Sequence, residues 1–327
     1  MKEMTSKIDS LNLKILKDLL SDGRKPFAEI AEENNVSKEV ISKRFKQLKA
    51  KGVILGFTTQ NSVKCYDANF IANLLLHVQR SKLEHVMQAV KKIPNVIQAY
   101  RSAVEQDVLT EITFKNLDEL EYTKKMVQRI PEVLGTEVSI WTGFRNHPEN
   151  LSIFNIEELV SKKTPQNGDS NRKKADAEID KVDKVIIDKL SLNGRVPFAE
   201  IANPIGVSKE TIARRYEKLK QNVDLKVVAQ IDPNKLGYYA FGTFGFSFSQ
   251  EALDDNIEKI SKTPDVNRIT KCAGYQDLRF TLMLKDINHF IEVQKEMVVL
   301  PCITRISVSI IQMLYPWPMQ REFISTF

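Results

Sequence analysis

The 327-residue chain is too long for one ordinary hydrophobic core, so we expect several small domains. Its residues are 42% hydrophobic and 28% charged, which is typical of a soluble globular protein, and no apolar run approaches the length of a membrane span. The net charge of +6 favours a polyanionic partner.

The chain begins with alternating charged and apolar residues and has no signal-peptide core, which favours a cytoplasmic protein with no membrane partner. Its three cysteines, Cys65, Cys272 and Cys302, lie far apart in sequence and lack the spacing of metal ligands. They are interpreted as reduced thiols, and neither a metal site nor a cofactor is expected.

Two stretches of the chain repeat each other without a gap. GRKPFAEIAEENNVSKEVISKRF begins at Gly23, and GRVPFAEIANPIGVSKETIARRY begins at Gly194. Fainter repeats follow, such as IPNVIQAY from Ile93 and TPDVNRIT from Thr263. Repetition over this length predicts a duplicated unit of about 145 residues, here called the first copy and the second copy.

Each copy begins with three predicted helices. Apolar residues at helical spacing mark the first helix, which Gly23 is expected to end: Ile8, Leu11, Ile15, Leu16 and Leu19. Pro26 opens the second helix, and Ser37 is the predicted N-cap of the third. Asn35 and its counterpart Gly206 stand between the second and third helices, where a tight turn often needs a left-handed backbone. This arrangement predicts a helix-turn-helix.

The second part of each copy alternates strands and helices. In the first copy FIANLLLHV is a predicted strand, LEHVMQAVKKI a helix, AYRSAVEQDVLTEITF a pair of strands, LDELEYTKKMVQRI a helix and GTEVSIW a strand. This β-α-β-β-α-β order predicts a ferredoxin-like sandwich. The expected fold is therefore α+β, with two copies of a winged helix-turn-helix followed by a ferredoxin-like domain.

These patterns predict five segments along the chain. The boundaries are 1–56 and 179–228 for the helix-turn-helix domains, 57–145 and 229–327 for the ferredoxin-like domains, and 146–178 for the linker. The later part of that linker is polar, basic and poor in apolar residues, so it cannot bury a core. A short helix from Ile156 to Lys162, capped by Asn155, is expected inside it.

Characteristic phrases mark the helix-turn-helix of each copy: IDSLNLKILKDLLSDGRKPFAEIA and VSKEVISKRFKQLKAKGVILGFT in the first, and VDKVIIDKLSLNGRVPFAEIA and VSKETIARRYEKLK in the second. With these phrases the chain resembles the Lrp/AsnC (feast/famine) family of transcriptional regulators. The resemblance implies an N-terminal helix-turn-helix that binds double-stranded DNA, a ferredoxin-like effector domain, and dimers that place two recognition helices on one face of DNA. A tandem chain is then expected to form an intramolecular pseudo-dimer, and homodimers of such chains are a further expectation.

The third helix of each copy is the predicted recognition helix. If Ile41, Phe45 and Leu48 face the core, helical geometry puts Glu39, Ser42, Lys43, Lys46 and Ala50 on the opposite face. Hydroxyl and amine groups there would reach base edges, and outer lysines would meet phosphates. The predicted DNA-binding residues are Ser37, Lys38, Ser42, Lys43, Arg44, Lys46, Ser208, Lys209, Thr211, Arg214, Arg215 and Lys218. On the same face Ala213 replaces Ser42 and Glu217 replaces Lys46, so the two helices are predicted to be non-equivalent readers.

The effector half has the opposite asymmetry. Members of the family carry a Gly-x-x-Asp turn that lines a cleft for amino acids, and the second copy keeps it as Gly274-Tyr275-Gln276-Asp277. The first copy has Val104-Glu105-Gln106-Asp107, without a glycine that would allow close approach to the backbone. Gly274, Tyr275 and Asp277 are therefore predicted to contact an amino-acid-like effector; the alternative is that they only form a hairpin loop.

Catalysis is not expected. The four histidines are isolated in sequence, and no phosphate loop, zinc spacing or nucleophile motif is present. Two alternatives to a DNA-binding regulator stay open. One is a DNA-free ligand sensor or assembly factor. The other follows from the resemblance, because Lrp-like proteins include the paired subunits that decarboxylate sirohaem, and two unlike copies in one chain would imitate such a pair.

Overall fold

A computed structural model of the chain describes residues 8–60, 68–103, 107–154, 179–223, 225–249, 253–313 and 316–318. These residues form two compact units. The helical unit comprises residues 8–60, 179–237 and 316–318, and the sheet unit comprises 68–154 and 238–313, apart from the gaps just given. The helix expected at 156–162 and the residues Val104–Gln106 lie outside the described residues.

Each copy contributes three helices and one strand to the helical unit. The first copy forms α1 (Ser10–Ser21), α2 (Phe27–Glu33), α3 (Lys38–Ala50) and β1 (Ile54–Gln60). The second copy forms α6 (Lys181–Leu192), α7 (Phe198–Ala202), α8 (Lys209–Val223) and β6 (Lys226–Ile231). Ser37 caps α3 as predicted, since its hydroxyl accepts from the Val40 N–H. The left-handed turns are also confirmed, with φ of 53° at Asn35 and 68° at Gly206.

The role predicted for Gly23 is wrong. The C-cap of α1 is Asp22 in an extended conformation, and the Gly23 N–H donates to the Val227 carbonyl at 2.7 Å. The Gly194 N–H donates in the same way to the Phe57 carbonyl at 2.8 Å. A Cβ on Gly23 would lie 2.9 Å from the backbone carbonyl carbon of Val228, and one on Gly194 would lie 3.0 Å from Phe57 Cβ, so each glycine is needed where its turn packs closely against a strand of the other copy.

Strands β1 and β6 pair with each other in an antiparallel two-stranded sheet, with Phe57 opposite Ala229 and Thr59 opposite Val227. The boundaries predicted after residues 56 and 228 therefore fall inside these strands. A strand's own sequence shows that it is apolar but not which partner it joins, and here the partner lies in the other copy.

The sheet unit repeats the predicted β-α-β-β-α-β order twice. Its first half is β2 (Phe70–Val78), α4 (Leu83–Val90), β3 (Val96–Arg101), β4 (Val108–Phe114), α5 (Leu117–Gln128) and β5 (Val133–Asn146). Its second half is β7 (Ala240–Phe248), α9 (Leu253–Ser261), β8 (Val266–Gly274), β9 (Leu278–Leu284), α10 (Ile287–Met297) and β10 (Ile303–Gln312). The strands form one eight-stranded sheet in the order β10-β7-β9-β8-β5-β2-β4-β3.

The two halves of this sheet join through β5 and β8, where Trp141 lies opposite Cys272. Beyond the end of β3, the Ala103 N–H donates to the Ile310 carbonyl of β10 at 3.0 Å, so the outermost strands also meet. The helices of each half cover an apolar core on one face of the sheet. Cys272 is a buried free thiol, and burial raises its pKa to about 11.

The first residues of the predicted linker are not a linker. Leu151 and Phe154 are buried in the sheet unit, and the Asn150 side-chain amide donates to the carbonyls of Thr263 and Val266 at 3.1 and 2.8 Å. The prediction was wrong here because a few apolar residues in a polar segment are enough to pack onto a neighbouring domain. Among the described helices, none combines the length and apolar character that a membrane crossing requires.

Candidate nucleic-acid interface

The outer face of α3 is exposed and basic. Ile41 and Leu48 are buried, and the ring of Phe45 contacts that of Phe27 at a centroid distance of 5.0 Å, which anchors the inner face. The residues that line an open depression along the opposite face are Lys38, Glu39, Ser42, Lys43, Lys46, Gln47 and Ala50. The helical geometry read from the sequence therefore selected the surface that the fold leaves free.

The carboxylate of Glu39 is the negative charge among the residues that line this depression. It lies in the first turn of α3, where a hydrogen bond from its own N–H, together with the Ser37 hydroxyl, lowers its pKa. A negative charge at this position also complements the helix dipole. The depression also has three lysine ammonium groups, on Lys38, Lys43 and Lys46, so the net charge of this surface is positive.

Two of the predicted DNA-binding arginines are engaged inside the helical unit. Arg44 forms an ion pair with Asp9, the N-cap of α1. Arg215 pairs with Asp180, the N-cap of α6, at 2.7 Å, and with Asp183 at 2.9 Å. These hydrogen bonds raise the pKa of Arg215, Asp180 contributing most. The shared separation of 35 positions between aspartate and arginine was a signal that sequence reasoning missed.

The outer face of α8 differs from that of α3, as the sequence comparison of the two helices predicted. Lys209, Arg214 and Lys218 are exposed, while Thr211 and Ala213 are half-buried. The Ser208 and Thr211 hydroxyls bond to each other at 3.1 Å, and the Ser208 Oγ also accepts from the Thr211 N–H. Glu217 is exposed and pairs with Lys220 at 3.2 Å. The second face therefore has an acidic group where the first has Lys46.

The residues predicted to contact an effector have partners within the sheet unit. Gly274 has φ of 123°, and a Cβ there would lie 2.5 Å from the Val138 carbonyl oxygen of β5. The Tyr275 N–H donates to the same carbonyl at 3.1 Å, and the Arg305 guanidinium lies 3.7 Å from the Tyr275 ring centroid. The close approach that this glycine allows is thus to a neighbouring strand, a partner that the sequence did not reveal.

Asp277 has a structural role that its counterpart shares. Its carboxylate accepts from the Phe248 N–H at 2.9 Å, as the Asp107 carboxylate accepts from the Val78 N–H at 2.9 Å. Sequence reasoning missed Gln276, which is buried, covers the bare backbone of Gly245 and donates to the Ser307 hydroxyl. The glycine within β7 was the available signal, because a glycine in a strand often marks such a close approach.

The fold and the exposed basic recognition helix define a winged helix-turn-helix transcriptional regulator with a ferredoxin-like ligand-binding domain. The family model for winged helix-turn-helix DNA-binding matches residues 8–54, that for the Lrp/AsnC ligand binding domain matches 71–143, and that for the AsnC-type helix-turn-helix domain matches 179–220. The chain belongs to the Lrp/AsnC family.

Similar regulators occur in Pyrococcus furiosus and Methanocaldococcus jannaschii. The HTH-type transcriptional regulator FL11 of Pyrococcus furiosus is 30% identical over 133 residues, which cover 41% of this chain and 88% of that protein. The HTH-type transcriptional regulator Ptr1 of Methanocaldococcus jannaschii is 28% identical over 134 residues, covering 41% of this chain and 90% of that protein. This chain therefore exceeds twice the length of the matched segment.

Similarity to solved structures extends over nearly the whole chain. The crystal structure of the siroheme decarboxylase NirDL covers 97% of this chain and 98% of its own, with a TM-score of 0.62 and 14% sequence identity. At this identity the likeness shows the fold alone. The tandem arrangement of this chain is thus compatible with more than one function.

Proposed function

We propose that this regulator binds double-stranded DNA as an intramolecular pseudo-dimer that presents α3 and α8 to two half-sites. The observation that carries the proposal is the pairing of β1 with β6, together with the reciprocal hydrogen bonds of Gly23 and Gly194. These contacts hold both helix-turn-helices in one compact unit. One polypeptide then supplies the two recognition helices that a symmetric regulator obtains from two chains.

The two recognition helices read different half-sites in this proposal. In the first copy Ser37, Lys38, Ser42, Lys43 and Lys46 are the proposed DNA contacts, and in the second Ser208, Lys209, Thr211, Arg214 and Lys218. Arg44 and Arg215 support these helices through their aspartate partners. Glu217 repels phosphates or accepts from a cytosine amine, whereas Lys46 attracts phosphates. Fusion of two copies removes the need for symmetry, so the proposed operator is not palindromic.

The sheet unit is the proposed receptor for a small effector of amino-acid type. The match to the Lrp/AsnC ligand binding domain over 71–143 supports this proposal. Gly274, Tyr275 and Asp277 remain its predicted contacts, and pairing of two chains is a further proposal. A rise in melting temperature with one member of a panel of amino acids would support effector binding, because a ligand of the native state stabilises it.

Selection of bound DNA from random fragments tests the DNA-binding proposal. We expect a bipartite motif with two unlike halves, weakened in one half by Lys43→Ala and in the other by Arg214→Ala. Lys295→Ala, which removes an exposed charge on α10, is the matched control and should leave both halves unchanged. Equal loss on the same half-site in both variants would contradict non-equivalent reading.

Two other outcomes would replace this proposal. Failure to retain any DNA at low salt would favour a DNA-free sensor or assembly factor, because phosphate-dominated binding is strongest there. A tetrapyrrole absorption band in the purified protein would favour a decarboxylase on the same fold.

A further inference from the structure

Two arginines of the helical unit bind the turn of the opposite copy. Arg24 follows Gly23, and its Nη1 donates to the Gly194 carbonyl at 2.7 Å and to the Val196 carbonyl at 3.2 Å. Arg195 follows Gly194, and its Nε donates to the Gly23 carbonyl at 2.5 Å while Nη2 donates to the Lys25 carbonyl at 3.3 Å. Each arginine thus binds the backbone of the turn that contains the other arginine.

The same guanidinium groups lie against aromatic rings of the opposite copy. Arg24 Cζ is 4.3 Å from the ring centroid of Phe198 and 5.7 Å from that of Tyr216, which belongs to α8. Arg195 Cζ is 4.7 Å from the centroid of Phe27 and 5.6 Å from that of Phe45, which belongs to α3. Each arginine therefore reaches the inner side of the opposite recognition helix.

This arrangement depends on the shape of the guanidinium group. A planar fork donates several hydrogen bonds at fixed angles and stacks on rings, whereas a lysine ammonium is a compact and strongly hydrated charge. The pKa of Arg195 is lowered to about 10 by burial and by the Arg24 charge, so Arg195 stays charged at neutral pH, and burial also lowers the pKa of Arg24. Carbonyl oxygens and aromatic rings of the opposite copy thus stabilise the two guanidinium groups.

The two Gly-Arg turns are closely packed against the strands beside them. The glycine before each arginine touches a strand of the opposite copy: a Cβ on Gly23 would lie 2.9 Å from the backbone carbonyl carbon of Val228, and one on Gly194 would lie 3.0 Å from Phe57 Cβ. The arginine head groups then connect each turn to the opposite recognition helix. Relative movement of α3 and α8 would break hydrogen bonds and ring contacts in both copies at once.

We propose that Arg24 and Arg195 are positioning residues that set the separation of the two recognition helices and thereby the spacing between DNA half-sites. They act through Phe45 and Tyr216 and do not themselves contact DNA. This inference rests on the proposed function, in which both helices bind DNA together. This role would explain a preference for one spacer length. Base contacts lie within each half-site, so they cannot distinguish spacers of different length.

The test uses the full chain and the half-sites recovered from the DNA selection, joined by spacers of graded length. We expect the unaltered protein to prefer one spacer over one changed by half a helical turn, about 5 base pairs, by about tenfold in Kd. In the variant carrying Arg24→Lys and Arg195→Lys this preference should fall to about twofold. Arg80→Lys, an exposed position of the sheet unit, is the control and should keep the full preference.

The outcomes separate this inference from the proposed function. If the unaltered protein recovers no bipartite site, the proposed function is wrong, and the positioning role falls with it. If it recovers one and the double variant keeps the tenfold preference, the positioning role is wrong. A variant that lowers only the melting temperature and keeps its spacer preference shows a merely structural role. Phe198→Leu, which removes the ring under Arg24 and keeps an apolar side chain, provides the same readout if the double variant does not fold.

Discussion

Arg215 of the second recognition helix donates to the carboxylate of Asp180, which caps the first helix of the same copy, at 2.7 Å. The Asp180 side chain also accepts from the Asp183 N–H at 2.8 Å, and the two residues form a capping box. One carboxylate thus caps the start of α6 and holds the recognition helix against it. Arg44 and Asp9 form the equivalent pair in the first copy.

Asp180→Ala should lower the free energy of unfolding by about 1 kcal/mol, since an N-cap is typically worth that amount. The expected change is seen as a lower midpoint in urea with an unchanged slope. Asp9→Ala should behave alike, because it removes the same cap and ion pair. An unchanged midpoint in both variants would contradict the structural role of these aspartates.

Gly194→Ala should destabilise the helical unit by about 1–3 kcal/mol through overpacking. The new Cβ would lie 2.5 Å from Val227 Cγ1 and 3.0 Å from Phe57 Cβ, where two strands leave no space. Gly206→Ala is the matched control: no atom lies within 4 Å of its Cβ position, so its cost comes only from the φ of 68°. Urea unfolding distinguishes the two, and a larger loss at Gly206 would contradict the packing argument.

Glu217→Lys should strengthen DNA binding and steepen its salt dependence by about 0.9 in the slope of log K against log salt, the value for one added phosphate contact. The substitution restores the charge that Lys46 has in the first copy and releases Lys220 from its ion pair. Binding assays over a range of salt concentrations measure the slope. Glu296→Lys on α10 makes the same change of charge in the sheet unit and controls for net charge. An equal slope change in both variants would place Glu217 outside the interface.

Asp277→Ala should lower the free energy of unfolding by about 1–3 kcal/mol, because it leaves the partly buried Phe248 N–H without its acceptor. Asp107→Ala removes the equivalent acceptor of the Val78 N–H and should cause a similar loss. Thermal unfolding without any effector measures both. A variant at Asp277 with unchanged stability and weaker effector binding would show that its carboxylate serves the ligand.

Buried tyrosines should make the protein less stable at alkaline pH. Burial raises the pKa of Tyr216 to about 12, and burial together with the Asp265 carboxylate raises that of Tyr238 further. Since both lie above the unfolded value of 10.0, the stabilisation is complete below pH 10 and is lost as pH rises through the folded values. Unfolding free energies measured from pH 9 upward should therefore fall.

The contribution of each tyrosine is separable. Tyr216→Phe and Tyr238→Phe should each reduce the alkaline slope, because phenylalanine has no proton to lose. The exposed Tyr122→Phe serves as the control and should leave the slope as it was. A slope insensitive to both buried substitutions would contradict the assignment.

The local parts of this structure were predictable. Asn35 and Gly206 occupy left-handed turns, Ser37 caps α3, and the strand and helix order of the sheet unit is the predicted one. Each of these features depends on residues within a few positions of one another, so backbone preference and hydrophobic spacing were sufficient. The exposed face of α3 followed for the same reason.

Contacts between distant segments were decided only by the tertiary structure. The pairing of β1 with β6, the packing of Gly23 and Gly194 against opposite strands, and the burial of Leu151 could not be read locally. A sequence shows which side chains prefer burial, but not which surface will bury them. The repeated Gly-Arg dipeptide is the clearest case. Its glycine favours a turn, but only the approach of the opposite copy brings each arginine the carbonyls and rings that it binds.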